Sequence, residues 1–210
     1  MNPETRPRPG PERRAHAHEI GASMTDTEPS WLTDWLAEPL GTDAALARFD
    51  GLPGIGPGHL IGLWQGRTLP TGHPFDSLLE GLGWYGKSIE DSDRVHPLLF
   101  RRSSGRIVAL NPALMPTAVA LHRPGFARSL PVRLAFAALE PVLRARRHGA
   151  TLGLRDFRGR QGTALIYHEQ PITDHLRLAG PDRLVGLMER NGMANPFFFH
   201  LARVGPPWNG

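Results

Sequence analysis

The chain has 210 residues, no cysteine, a formal net charge of +4 and an isoelectric point near 10.5. That length suits one large domain or two small ones able to bury a core without staples, and the missing thiols exclude disulfides, thiolate nucleophiles and cysteine-ligated metals. The basic excess is scattered: Arg144, Arg146 and Arg147 with His148 are its densest cluster and read as the polar end of a helix, so nucleic acid is not expected as a partner. No apolar run approaches the roughly 20 residues of a membrane span, and the Arg-rich start lacks the apolar stretch of a secretory signal, so a cytoplasmic protein without a span is expected.

Residues 1–28 hold Pro3, Pro7, Pro9, Pro11, Arg6, Arg8, Arg13 and Arg14 with almost no apolar side chain, and are read as a disordered tail in which Met24 is an alternative start. Residues 29–110 form a first half. In it Trp31, Leu32, Trp35 and Leu36 recur at helical spacing, and Asp43–Phe49 gives a second short helix; both are read as a lid or brace. From Leu60 the period falls to two, with Leu60, Gly62, Trp64 and Gly66 on one face, which predicts a strand. Phe75, Leu78, Leu79 and Leu82 predict a helix opened by Pro74, after which WYGKSI resumes an extended run. Val95–Phe100 and Arg106–Leu110 are expected as a hairpin about a Ser-Ser-Gly turn at Ser103–Gly105. Residues 111–145 are a connector, proline-interrupted and then helical from Pro131 to about Ala145. In residues 146–205, turn signals at Arg158–Arg160, Gln170 with Pro171, Gly180–Asp182 and Asn191–Pro196 set off four strand-like runs, TALIYHE, ITDHLRL, RLVGLME and FFFHLARV. Turns this short join antiparallel neighbours. A mainly β fold is expected, with both halves in one antiparallel β-barrel.

The strings GLWQG, TGHP, WYGK, HPLLF and NP in the first half, with ALIYHEQPITDHLR, GLME and NPFFF in the second, resemble the bacterial GXWXG protein family over residues 45–205. In that family a short domain named for its motif precedes a C-terminal domain of unknown function, and its members are mostly uncharacterised. A looser similarity is to the calycin barrels, the lipocalins and fatty-acid-binding proteins, whose first strand opens with GxW and whose last carries an arginine over the indole. Gly62, Trp64 and Gly66 with Arg203 would fill those structural roles, the glycines letting the ring lie flat and the guanidinium adding a cation–π contact of about 0.5 to 2 kcal/mol. The loosest similarity is to the nitrobindin barrels, which also open with GxWxG and hold heme through a histidine; here His168, His175 or His200 would be the ligand.

Lys87 is the one lysine among 24 basic residues, which points to a place where a planar, permanently charged guanidinium does not substitute. On a regular strand Tyr85 and Lys87 share a face about 7 Å apart and could hold an acidic head group or polarise a carbonyl. His73 lies in the TGHP turn before a helix, where free N–H groups favour an anion, or where Thr71 and His73 cap those amides themselves. His96 before Pro97 is a polar strand-end residue. Tyr167 and Asp174 interrupt apolar runs and need partners if buried, and an inward Asp174 beside Lys87 would make a buried pair.

These readings lead to a protein that binds a small hydrophobic or amphipathic, lipid-like molecule inside a calycin-like barrel, with Tyr85, Lys87, His73, Asp174, Tyr167 and His96 as candidate ligand-binding residues. No metal or cofactor is assigned, and a homodimer is allowed. One alternative is a small isomerase or hydrolase with His73 or Lys87 as base and Tyr85 as acid; a second is a heme-binding barrel.

Overall fold

A computed structural model describes residues 28–76, 78–115, 125 and 129–210. The tail, apart from Glu28, the start at Met24 and most of the proline-interrupted stretch after Met115 lie outside the described residues. The described chain is mainly β, a single antiparallel sheet with few helices.

The strands are β1 (Gly62–Thr68), β2 (Trp84–Ile89), β3 (Val95–Arg101), β4 (Ile107–Ala109), β5 (Ala150–Phe157), β6 (Arg160–Tyr167), β7 (Ile172–Gly180), β8 (Arg183–Arg190) and β9 (Phe197–Gly205). Their order is β2-β1-β9-β8-β7-β6-β5-β3-β4, and β2 also pairs with β3, so the order returns on itself as a ring with β4 appended. The β3–β5 junction is the thinnest part of that ring, a single pair between Val95 and Ala150. Strands of both halves thus share one sheet.

Local sequence explains the turns. Arg158 (φ 50°) and Gly159 (φ 73°) are both left-handed between the paired Phe157 and Arg160, the two-residue hairpin turn whose twist matches the strands. Strand β5 was not among the expected runs. Gly153 interrupts it and Leu154 points outward, 53% exposed, so its apolar residues do not alternate cleanly.

Two cores follow from the period of two. Inside the ring lie Trp64, Trp84, Ile89, Phe100, Leu165, Leu176, Phe197 and Phe199; on its outer face Val185, Leu187 and Phe198 meet Leu32 and Trp35 of α1 (Ser30–Ala37) and Ala45 and Phe49 of α2 (Thr42–Gly51). The Phe197–Phe199 triplet is split between these cores. Helices α1 and α2 therefore brace the outside of β8 and β9. The expected helix from Phe75 shrinks to α3 (Leu78–Gly81), because Asp76 folds back onto the turn before it. The connector helix is α4 (Leu130–Leu143), with Pro141 near its end.

The motif of β1 works through its neighbours. Trp64 is fully buried, its indole N–H donating to the Leu60 carbonyl at 2.7 Å, and the Arg203 guanidinium lies 4.2 Å from its ring. The glycines make room for other groups than Trp64 itself. A Cβ at Gly66 would stand 2.4 Å from the ring of Trp84, and one at Gly62 would stand 2.9 Å from the Arg203 guanidinium.

Strand β2 departs from a regular strand. Trp84 pairs with Phe100 and Gly86 with Leu99, so Tyr85 and Gly86 together oppose one residue of β3, a β-bulge. Gly86 has φ 144°, and a Cβ there would lie 1.9 Å from the Trp64 carbonyl oxygen. The bulge reverses the alternation. Lys87 turns inward on the side of Trp84, while Tyr85 turns outward into a separate cluster with Leu99 and Ala109, under the guanidinium of Arg101 at 4.7 Å. The expected shared face of Tyr85 and Lys87 is therefore incorrect.

Candidate functional site

Inside the ring, β2, β6 and β7 bring Lys87, Tyr167 and Asp174 together. The Lys87 ammonium donates to Asp174 Oδ2 at 2.8 Å, to the Pro97 carbonyl at 3.1 Å and to the Tyr167 hydroxyl at 3.2 Å. Tyr167 in turn donates to Asp174 Oδ2 at 2.9 Å. Lys87 is 2% exposed and Asp174 fully buried. The Pro97 carbonyl is free for this role because β3 bulges there: between Gly86 and Ser88 of β2, its register advances from Leu99 to His96. Proline tolerates that place because the ladder needs no N–H from it.

The inventory of hydrogen bonds around this group nearly closes. An ammonium has three donors, and all three are spent on protein acceptors. The phenol accepts once and donates once. What remains is Asp174 Oδ1, buried and without a hydrogen-bond partner among the described residues. Aromatic rings wall the group: the ammonium lies 4.8 Å from the centroid of Phe199, 5.7 Å from Tyr167 and 5.9 Å from Trp84.

Burial, and then the neighbouring Asp174 carboxylate, hold the Tyr167 phenol far above its ordinary range of titration. It stays protonated at neutral pH with its proton directed at Asp174, which makes it a poor acid catalyst. The acid–base set drawn from sequence is not assembled either. Tyr85 is on the outer face, and no described hydrogen bond or ion pair joins His73 to Lys87.

His73 packs its ring against Phe75 and Phe197 at 5.1 and 5.5 Å, with Nδ1 accepting from the Phe75 N–H. Burial lowers its pKa. The anion expected at the TGHP turn is part of the chain: Asp76 Oδ2 accepts from the backbone N–H groups of Thr71, Gly72 and His73 at 2.9, 2.7 and 2.9 Å. Asp76, three residues past His73, is the sequence signal for this turn.

The three histidines considered for heme do not share a pocket. His168 is exposed; His175 stacks 3.6 Å from Phe157 with Nε2 at 3.0 Å from Glu189. His200 is buried with neither ring nitrogen partnered among the described residues, and desolvation, with Arg183 and Arg67 nearby, pushes its pKa down to about 4.

His96 lies outside the ring, paired across β2 with Ser88, and its imidazole sits 4.4 Å from that of His148 and 5.6 Å from Trp208. Beside them runs a cleft of about 280 Å³. A second, of about 240 Å³, lies between α2 and the β8–β9 turn. Neither cleft is lined by Lys87, Tyr167 or Asp174. Glu90 and His148, which join His96 on that outer face, are site candidates that the sequence did not single out.

Helix α4 meets the ring at a few side chains only. Phe136 of α4 rests 5.5 Å from Phe100, and buried Glu140 ties α4 to Arg102 at 2.8 Å while its other oxygen meets Arg144, the residue that ends the helix, at 2.6 Å. The rest of α4 is unusually apolar for an exposed helix: Leu130, Leu134, Leu139 and Val142 all face solvent. No helix among the described residues is long and apolar enough to cross a membrane.

Comparison with known proteins accords with this architecture. A crystal structure of a protein from Thermomonospora curvata is similar over 83% of this chain and 97% of that one, with a TM-score of 0.62 and 25% sequence identity. No curated protein matches the sequence. The family described as "GXWXG protein" matches residues 47–105, which span β1 to the β3–β4 turn, and "Domain of unknown function (DUF4334)" matches residues 148–203, which span β5 to β9. The chain is a GXWXG-domain protein with a C-terminal domain of unknown function.

Proposed function

We propose that the ring of strands is a calycin-like barrel that binds a small amphipathic molecule, its apolar body among the interior rings and its polar head at the Lys87–Tyr167–Asp174 group. The observation that carries this reading is Asp174 Oδ1, a buried acceptor left over after every donor of the group has been used. Burying an ion pair offers little stability over an apolar filling, so a ring that needed only to fold gains little from one. The leftover valence also defines the head group. With all three ammonium donors spent, a carboxylate head finds no cation, whereas a hydroxyl or amide can donate to Oδ1. This departs from the acid head group expected from sequence.

Room for the ligand has to be made by moving interior rings on the α4 side. From Phe136 the path inward runs over Phe100 to its cross-strand partner Trp84, whose ring borders the ammonium. Displacing α4 removes the first ring of that stack. Native mass spectrometry of the purified chain, followed by titration with a long-chain fatty alcohol and the fatty acid of equal length, tests the reading. A bound amphipath and tighter binding of the alcohol are expected; absence of binding by either defeats it.

A second reading has its own observation. Rings inside the ring of strands lie directly on glycine, since a Cβ at Gly186 would stand 2.1 Å from Phe199 and one at Gly66 would stand 2.4 Å from Trp84. Packing this close suits a purely architectural interior, in which the ion pair only fixes how the strands assemble. A wild-type chain that binds neither alcohol nor acid, while a triple replacement Lys87→Met, Tyr167→Phe, Asp174→Leu alters folding or assembly, would favour it.

A further inference from the structure

We infer that Glu90, His96 and His148 form a binding site for a divalent transition-metal ion of the zinc class, on the outer face of the ring and separate from the interior group. Three segments converge there. Glu90 follows the last residue of β2, His96 is the second residue of β3, and His148 lies between α4 and β5. The β3–β5 junction holds them together: Ala150 pairs with Val95, and the Gly149 N–H donates to the Val95 carbonyl at 3.0 Å. His148 is thereby laid beside His96.

One ligand atom from each residue lies within 4.8 Å of the other two. Tetrahedral zinc with bonds of about 2.1 Å needs donors about 3.4 Å apart, so the cluster is only slightly open. His148 Nε2 and Glu90 Oε1 already meet at 3.1 Å. All three residues are half-buried, so no fully buried side chain has to move for the cluster to contract.

Two further observations point to a ligand. His96 Nδ1 is shielded from solvent yet has no hydrogen-bond partner among the described residues, a costly state for a half-buried imidazole unless something occupies its valence. And Glu90 is already oriented, for its second oxygen accepts from Arg94 Nη1 at 3.0 Å while the first faces His148, the arrangement of an outer partner that steers a metal-binding carboxylate.

Two imidazoles and one carboxylate suit zinc or ferrous iron better than magnesium or calcium, which prefer all-oxygen sets. Three protein ligands leave coordination open, unlike a closed four-ligand structural site. The open side has a place to face: the 280 Å³ cleft is lined by His96, His148 and Trp208 together with Arg106, Arg144 and Arg147. Trp208 is fixed as a wall by its backbone N–H, which donates to Ser88 Oγ at 2.9 Å. A metal-bound water or an anionic group fits that surrounding charge.

The test is calorimetric titration of zinc chloride into the full chain stripped with chelator. One ion per chain is expected, with affinity reduced at least about 10-fold in His96→Ala, His148→Ala and Glu90→Gln, the loss that even outer partners produce. His16→Ala with His18→Ala should leave it unchanged, and magnesium chloride should give no saturable heat. Cobalt(II) should show visible d–d absorption that vanishes in His96→Ala. The inference is overturned if no zinc binding saturates, or if binding survives in a His96→Ala/His148→Ala variant with wild-type circular dichroism. Should that variant unfold, the zinc-induced rise in Tm decides: present in the wild type and lost in Glu90→Gln it supports the site, and equal in both it refutes it.

Discussion

Lysine at position 87 is a matter of donor count. Its three N–H donors meet three acceptors, the Pro97 carbonyl, the Tyr167 hydroxyl and Asp174 Oδ2, whereas the five donors and planar fork of arginine would leave buried valences unmet. Replacing Lys87→Met removes the only cation bonded to a fully buried carboxylate in this group and is expected to cost about 3–5 kcal/mol in urea unfolding. Adding Asp174→Leu should restore most of it, because the penalty lies in the unpaired charge more than in the lost pair. A double variant as unstable as the single one would contradict that account. The pairing was legible in sequence because both residues interrupt apolar strands and a buried charge requires a partner. Tyr85 was misread since alternation assumes an unbroken strand, and one bulge inverts it.

At the scale of elements, the bulge in β2 decides what the interior contains. Gly86→Ala would combine backbone strain of about 1–3 kcal/mol with overpacking of about 1–3 kcal/mol against the Trp64 carbonyl. A loss of at least about 2 kcal/mol, measured as a lower urea midpoint at unchanged m-value, is expected; a loss below 0.5 kcal/mol would mean that β2 regularises without cost. Turn chemistry made the C-terminal meander readable, and helical spacing made α1 and α2 readable. Strand β5 escaped because its edge of the ring is half exposed and carries no clean pattern. Helix α4 was legible as a helix but its docking was not, since its contacts, Phe136 on Phe100 and Glu140 on Arg102, are long-range. Loosening it by Glu140→Gln, which removes the charge paired with Arg102 across to the ring and with Arg144 at the helix end, should speed uptake of a fluorescent fatty alcohol about 2- to 5-fold, the worth of the one partly exposed pair that links helix and ring, with little change in final affinity. Stopped-flow mixing would read this directly, and an unchanged rate would remove α4 from the entry path.

Over the whole molecule, four buried or half-buried imidazoles, His73, His96, His175 and His200, have a lowered pKa, and desolvation is the largest cause in each. No local pattern announces this, because each histidine is covered by a strand or turn distant in sequence. The consequence is a shared acid sensitivity. A histidine whose folded pKa lies below its unfolded value binds fewer protons when folded, so its contribution is complete above about pH 6.5 and is lost as pH falls toward the folded pKa. For His200, with a folded value of about 4, the loss between pH 6.5 and 4 amounts to about 3 kcal/mol. Stability measured by urea unfolding should therefore decline steadily across that window, ahead of protonation of most carboxylates. His200→Leu keeps a side chain of similar volume without the ionisable ring, and should flatten the decline by about half while leaving stability at pH 7 equal or higher, since two unpartnered buried nitrogens disappear. An unaltered pH dependence in that variant would show that His200 is hydrated and titrates freely, and the acid response would then belong to the other three histidines.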